Sequence, residues 1–174
     1  MRKLIGVALF LSLVSLMAAA QEAGGKAQIF GGYQYTRFDG GLNTNGFNGA
    51  ATLNLNRWFG VAADFGGAYG SQSGVETKFY SYTFGPQVSM HSGSLTPFAH
   101  FLIGGAHASA STSSSGVTTS ASSSGMAMMF GGGVDVGKHS LALRLAQFDW
   151  LTVRFNGVSD KNNMRLSTGL VLRF

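Results

Sequence analysis

The sequence predicts an all-β fold: a transmembrane, eight-stranded, antiparallel up-and-down β-barrel. Three observations predict it. Eight stretches alternate at a period of two between bulky apolar residues and small or polar ones, the pattern of a strand with two unlike faces. Their connections alternate between short turns (56–57, 91–94 and 137–140) and longer polar segments (39–46, 70–77, 109–125 and 156–163). The composition, with 26 Gly, 2 Pro, 12% aromatic and 11% charged residues, suits strands and turns better than helices. No segment after Ala20 is long and apolar enough for a spanning helix, but a closed barrel crosses a bilayer with strands of only about 9–11 residues.

Residues 1–20 read as a secretory signal peptide. Arg2 and Lys3 supply the positive start, Leu4 to Met17 the apolar run, and Ala18-Ala19-Ala20 the small-residue cleavage site before Gln21. The mature domain is then 21–174. Loss of Arg2 and Lys3 lowers the formal net charge of +5 by two. The surplus that remains contains no basic run, so nucleic acid is not an expected partner. With no Cys in the chain, disulfides and Cys-ligated metals are excluded, and no lipid-anchor cysteine follows the cleavage site.

The first strand, Ala27 to Arg37, sets Ile29, Gly31, Tyr33 and Tyr35 against Gln28, Gly32, Gln34 and Thr36. The second, Phe47 to Asn56, sets Phe47, Gly49, Ala51, Leu53 and Leu55 against Asn48, Ala50, Thr52, Asn54 and Asn56. In the third, Trp58 to Tyr69, Phe59, Val61, Ala63, Phe65 and Tyr69 oppose Gly60, Ala62, Asp64, Gly66 and Ala68. In the fourth, Lys78 to Met90, Tyr80, Tyr82, Phe84, Val88 and Met90 oppose Ser81, Thr83, Gly85, Gln87 and Ser89.

The fifth strand, Leu95 to Ala108, is less regular, because Phe98 and Leu102 share parity with His100. A bulge at Gly104-Gly105 is the expected reset. The Ser/Thr/Gly/Ala tract 109–125 has no large apolar residue except Val117, and reads as a flexible loop. The sixth strand, Met126 to Val136, carries Met126, Met128, Phe130, Val134 and Val136 on one face and Asp135 on the other. The seventh, Leu141 to Phe155, places Leu141, Leu143, Leu145, Leu151, Val153 and Phe155 on one parity. Gln147 and Asp149 fall among them, so a bulge near Gln147, or a position near the headgroups, is expected. The eighth, Met164 to Phe174, sets Leu166, Thr168, Leu170, Leu172 and Phe174 against Arg165, Ser167, Gly169, Val171 and Arg173.

A soluble barrel would turn its bulky parity inward around a ligand; a membrane barrel turns it outward. The opposite parity here is small and polar, and an eight-stranded barrel has room inside only for side chains. Lipid therefore accounts better for the bulky face. Trp58, Tyr33, Tyr35, Tyr80, Tyr82 and Phe174 lie near strand ends, where aromatic girdles form. The loop pattern puts both termini and the short turns in the periplasm and the long segments outside.

Two resemblances follow from these residues. Ser167, Gly169, Leu172 and Phe174 have the spacing polar-x-Gly-x-x-hydrophobic-x-aromatic. This resembles the C-terminal signal by which bacterial outer-membrane barrels are recognised by their assembly machinery. From Ala27 to Phe174, through AQIFGGYQYTRF, LNLNRWFGVAADFGGAYG, YSYTFGPQVS, TPFAHFLIGGAH and RLSTGLVLRF, the chain resembles the OmpA/OmpX-like eight-stranded outer-membrane β-barrel family. The resemblance implies a barrel domain in the Gram-negative outer membrane after signal-peptide export. It implies outer-membrane lipid and lipopolysaccharide, periplasmic chaperones and the barrel-assembly machinery as partners, and a monomer. Some members carry a wall-binding domain after the barrel. This chain ends on its last strand, so that role is not carried over.

Asp64, Asp135, Arg144, Arg165, Arg173 and His100 share the inward parity. Buried charges need partners, so they are expected to form a polar network filling the lumen. His91, His100, His107 and His139 show no metal-ligand spacing, and neither metal nor cofactor is expected. Some small outer-membrane barrels edit lipid A with Ser and His, and His107 with Ser109 is the pair that would fit, but no acid lies near to orient the imidazole. Gly131-Gly132-Gly133 lies within a strand and not before a helix, so it is no phosphate loop. The expected function is a non-enzymatic structural or surface-interaction role. The alternatives are a small-solute or lipid transport pore, and a lipid A-modifying enzyme.

Overall fold

A computed structural model of the chain describes residues 26–72, 74–114, 117–138, 140–155 and 158–174. The expected signal peptide and His139 lie outside the described residues. The strands are β1 (Lys26–Arg37), β2 (Asn43–Asn54), β3 (Phe59–Gln72), β4 (Val75–Ser89), β5 (Leu95–Ser114), β6 (Val117–Lys138), β7 (Leu141–Phe155) and β8 (Val158–Arg173). Each pairs antiparallel with its neighbours in chain order, and β8 closes onto β1 from Gln28↔Arg173 to Arg37↔Met164. One rim carries the C-terminus, the start of β1 and the β2–β3, β4–β5 and β6–β7 connections. The far rim carries the other four.

The alternation turns apolar side chains outward. Phe59, Val61 and Phe65 of β3 are exposed, while Ala62, Asp64 and Ala68 between them are buried. Tyr33, Trp58, Tyr82 and Phe174 are exposed on the same outer surface. An outer surface so apolar is stable against hydrocarbon and not against water.

Four expectations are corrected. The described residues of the tract, 109–114 and 117–125, are strand and not loop. β5 and β6 run on through it as one hairpin, in register from Ser109↔Ser122 to Ser114↔Val117. A ladder is made of backbone hydrogen bonds, so a Ser/Thr-rich strand forms without a core when its partner follows directly in sequence. The other long polar segments also shorten. β2 begins at Asn43, β3 and β4 stay paired to Gln72↔Val75, and β8 begins at Val158. The asymmetry between the rims is therefore one of strand extension, not of loop length.

Third, Gly104-Gly105 holds no bulge. The register runs straight through Thr83↔Gly104 and Tyr82↔Gly105, and Phe98, His100 and Leu102 all point inward and are buried. Fourth, β7 changes phase. The pairing shifts between Arg144 and Gln147 against β8, and at Val134/Asp135 against β6, which is the bulge expected near Gln147. Beyond it, Leu151 and Val153 face inward and are 1% exposed, while Phe148 and Trp150 face outward at 59% and 52%. Leu145 therefore belongs to the lipid face, but Leu151 and Val153 do not.

The interior is not uniformly small and polar. A buried apolar layer of Ala68, Phe79, Leu102, Ala106, Leu151 and Val153 extends towards the far rim, where Phe38 and Phe155 pack against it. Phe30, Ala142 and Val171 form a second apolar patch near the terminal rim. The charged side chains lie between these two.

Candidate functional site

The interior network is built around Arg165. Its position on β8 points inward, opposite Asp149 of β7 and Thr36 of β1. Nη1 donates to Asp64 Oδ1 at 2.7 Å, Nη2 to Asp64 Oδ2 at 3.0 Å, and Nε to Asp149 Oδ2 at 2.8 Å. Arg165 is 1% exposed, so both carboxylates meet it with almost no water screening. Gly66 lets the guanidinium cross the lumen: a Cβ there would stand 2.8 Å from Gln34 Oε1, 3.0 Å from Ser81 Oγ and 3.2 Å from Arg165 Nη1.

The bonds continue from both carboxylates. Asn48 Nδ2 donates to Asp64 Oδ2 at 2.9 Å. His100 Nε2 and Asp149 Oδ1 are 2.8 Å apart, and Gln147 Nε2 donates to Asp149 Oδ2 at 2.7 Å. Gln147 Oε1 accepts from Arg144 Nη1 at 2.5 Å. Arg144 grips Asp135 with two bonds, Nε to Oδ1 at 2.8 Å and Nη2 to Oδ2 at 3.1 Å. Its guanidinium lies between the rings of Phe30 and Phe98, each centroid 4.2 Å away. A cation so placed keeps its hydrogen bonds and gains both ring faces. Arg173 stands 4.0 Å from Asp135, at the edge of the network.

Of the six residues expected in the lumen, Asp64, His100, Asp135, Arg144 and Arg165 are thus joined by hydrogen bonds into one set, and Arg173 stands beside it with no hydrogen bond from its Nε or Nη2. Sequence reasoning missed Asp149 and Gln147, which join its two halves. Both share the parity of the leucines in the sequence, and the bulge at 144–147 moves them inside. A signal was present: the six expected residues hold three arginines and two aspartates. Asp149 evens that count, and charges buried this deeply need opposite partners.

The catalytic alternatives find less support. His107 Nδ1 bonds the Oγ of Ser124 at 2.8 Å across the β5–β6 ladder, not Ser109. Among the described residues no carboxylate joins that pair, and no three His, Cys, Asp or Glu side chains gather as metal ligands. Of the terminal-signal residues, Ser167 is buried on the inner face, whereas Leu172 and Phe174 are exposed outside, 47% and 52%. Gly169 sits on the closing seam, in register with Gly32.

A closed eight-stranded barrel with an apolar exterior and self-neutralising charges inside defines a membrane-embedded β-barrel. The outer membrane protein beta-barrel domain family matches residues 6–174, and the chain belongs to that family. Comparison with curated protein sequences finds no match. Among solved structures, the chain is similar to Ail, the attachment invasion locus protein of Yersinia pestis, at 23% identity and a TM-score of 0.65, covering 86% of this chain and 99% of that one. It is similar to Neisserial surface protein A at 18% identity and 0.59, covering 87% and 97%. It is also similar to the N-terminal β-barrel domain of Pseudomonas aeruginosa OprF at 13% and 0.53, covering 86% and 97%. At these identities the likeness is one of fold. Family and fold together place the protein in the outer membrane.

Proposed function

We propose that the protein is a non-enzymatic, monomeric surface-interaction protein of the outer membrane, with its lumen closed by polar side chains and its β5–β6 hairpin projecting outside. Residues 1–20 direct export, the terminal rim faces the periplasm, and outer-membrane lipid and lipopolysaccharide surround the apolar band. The observation that carries this reading is the edge of β6. β6 pairs with β5 out to Ser114↔Val117, but its pairing with β7 ends at Met126↔Arg154. Residues 117–125 therefore present one ladder edge with no partner strand among the described residues. Proteins normally blunt such an edge with charge or proline. The segment 109–125 contains neither, so it suits the addition of an extended strand from an external protein. Ail and Neisserial surface protein A are named for attachment and for the cell surface. Ail has also been solved with a heparin analogue, sucrose octasulfate. The present hairpin has no Lys or Arg with which to hold sulfates, which favours strand addition here.

The test is attachment of cells displaying the protein to a protein-coated surface. Thr119→Lys with Ser123→Lys charges the edge and should abolish attachment while the barrel keeps its heat-dependent gel shift. Attachment indifferent to both charges would remove the edge from the account. The closed lumen predicts no single-channel steps in planar bilayers, and steady conductance would favour the transport alternative.

The terminal strand carries a separate prediction. Phe174 is exposed and its N–H is bonded to the Ala27 carbonyl at 2.9 Å, so the ring is spare for recognition. Phe174→Ala should reduce insertion in cells while leaving refolding into detergent intact. Unchanged insertion would mean that the stretch is only a strand.

A further inference from the structure

We infer that the far end of the lumen is a binding site for a small apolar molecule, such as a single aromatic ring, and that the β1–β2 loop holds it shut with its own Phe38. The inference rests on the closed-lumen reading and adds what the upper, apolar part of that closure does.

The site is lined by inward side chains of β3, β4, β5 and β7: Ala68, Phe79, Leu102, Ala106, Leu151 and Val153, none more than 3% exposed. Two of the six are alanines. They lie on the two strands that flank β4, and the ring that packs against this cluster comes from Phe38, which belongs to no strand. Its ring meets Phe79 edge-on, with centroids 5.1 Å apart at 70°. The site therefore already accommodates one aromatic ring, delivered from a loop.

The loop that delivers it is lightly held. Phe38 N–H donates to the Leu42 carbonyl at 2.9 Å and Gly41 N–H to the Phe38 carbonyl at 3.0 Å, both within the loop itself. Its ties to the barrel besides the ring are Asp39 N–H to Asn163 Oδ1 at 3.1 Å and Asn162 Nδ2 to Asp39 Oδ2 at 3.5 Å. Asp39, Gly40 and Gly41 are exposed, and a Cβ on either glycine would meet nothing within 4 Å. Gly41, at φ 79°, takes the backbone through the region that favours glycine. Such a loop can swing as a unit when its ring leaves. Below, the ion-paired layer around Arg165 floors the site, so a ligand enters from the far rim and goes no further. These walls hold the ligand by apolar contact, and the polar side of the site is β8, where Asn163 lies buried beside Leu151 and Asp160, with a buried carboxylate oxygen, pairs with Val153.

The experiment is a toluene titration of the protein in lipid nanodiscs, read by methyl NMR. Leu102, Leu151 and Val153 report the site. Leu143 and Leu170, exposed on the outer surface, report partition into lipid. Asp39→Pro removes the N–H that ties the loop to Asn163 and substitutes no buried side chain, and Phe38→Ala empties the site. Both should show saturable shifts at the three inward residues but not at the outward pair. Apparent affinity should be at least about tenfold tighter than in the unsubstituted protein, whose site is open for only a fraction of the time. Adding Ala106→Phe to Phe38→Ala should refill the space and abolish the shifts. Inward and outward methyls responding alike in both variants, or a response that survives Ala106→Phe, would overturn the inference. Planar-bilayer conductance is measured on the same samples. A conducting unsubstituted protein would sink the closed-lumen reading instead.

Discussion

Arg165→Met should lower the stability of the barrel in lipid vesicles by about 3–5 kcal/mol, the cost of removing one partner from a buried ion pair. The methionine fills much of the space, so little of the loss comes from a cavity. Most comes from Asp64 and Asp149, which lose their shared cation while buried in the barrel interior. Asp64 keeps its bond from Asn48, and Asp149 keeps those from His100 and Gln147. Those bonds satisfy some lone pairs but cancel only part of the charge. Adding Asp64→Asn to Arg165→Met removes one uncompensated charge and should recover part of the loss. That non-additivity is the mark of a coupled pair. Urea unfolding followed by tryptophan fluorescence measures both. A loss under about 1 kcal/mol for Arg165→Met would mean that water reaches these carboxylates and that the lumen is open, since exposed pairs are worth no more than that.

The same network shows how far the sequence could be read. Asp64 and Arg165 were legible because β3 and β8 alternate regularly on either side of them, so parity alone puts both inside. Asp149 was not legible, because a bulge between Arg144 and Gln147 reverses parity for the rest of β7. The clue was a clash between two polar residues and a run of leucines. Resolving it requires the partner strands, because a bulge is a property of a pair. Leu151 and Val153 were misplaced for the same reason.

The β5–β6 extension was hidden for a different reason. Periodicity reports burial on one face, and a hairpin above the rim has no buried face to report. Ser, Thr and Ala alternate there without contrast, and only the register shows the ladder. The apolar layer under the far rim was concealed because the alanines that line it read as small and neutral on either face. Phe79 and Phe38, which give it an aromatic centre, lie at a strand end and in a turn, where parity is least informative. Fold and compartment were thus readable from alternation, whereas the site depended on where alternation fails.

Gly169→Val should stop the barrel from closing. A Cβ on Gly169 would stand 2.3 Å from the carbonyl oxygen of Gly31 and 2.4 Å from the Cα of Gly32. A Cβ on Gly32 would stand 2.1 Å from the carbonyl oxygen of Thr168 and 2.8 Å from the Cα of Gly169. The obstructing atoms are backbone, so no rotamer relieves them, and β8 has to move away from β1. That movement breaks ladder bonds on either side of Gly32↔Gly169, at about 1 kcal/mol net for each bond. Overpacking adds about 1–3 kcal/mol. The seam is the pairing of β8 with β1 that closes the barrel, so the loss falls on closure itself. The variant should show no heat-dependent gel shift after refolding into detergent, and none in cells. Gly31→Val is the control: its Cβ would point outward with nothing within 4 Å, and it should refold. Phe174→Ala should fail only in cells, so the pair of variants separates two uses of the same eight residues. If Gly169→Val refolds normally in detergent and fails only in cells, this glycine serves recognition by the assembly machinery and the seam tolerates a side chain. If it fails in both, the glycine is fixed by the packing of two backbones, and the terminal pattern is partly a record of how a small barrel shuts.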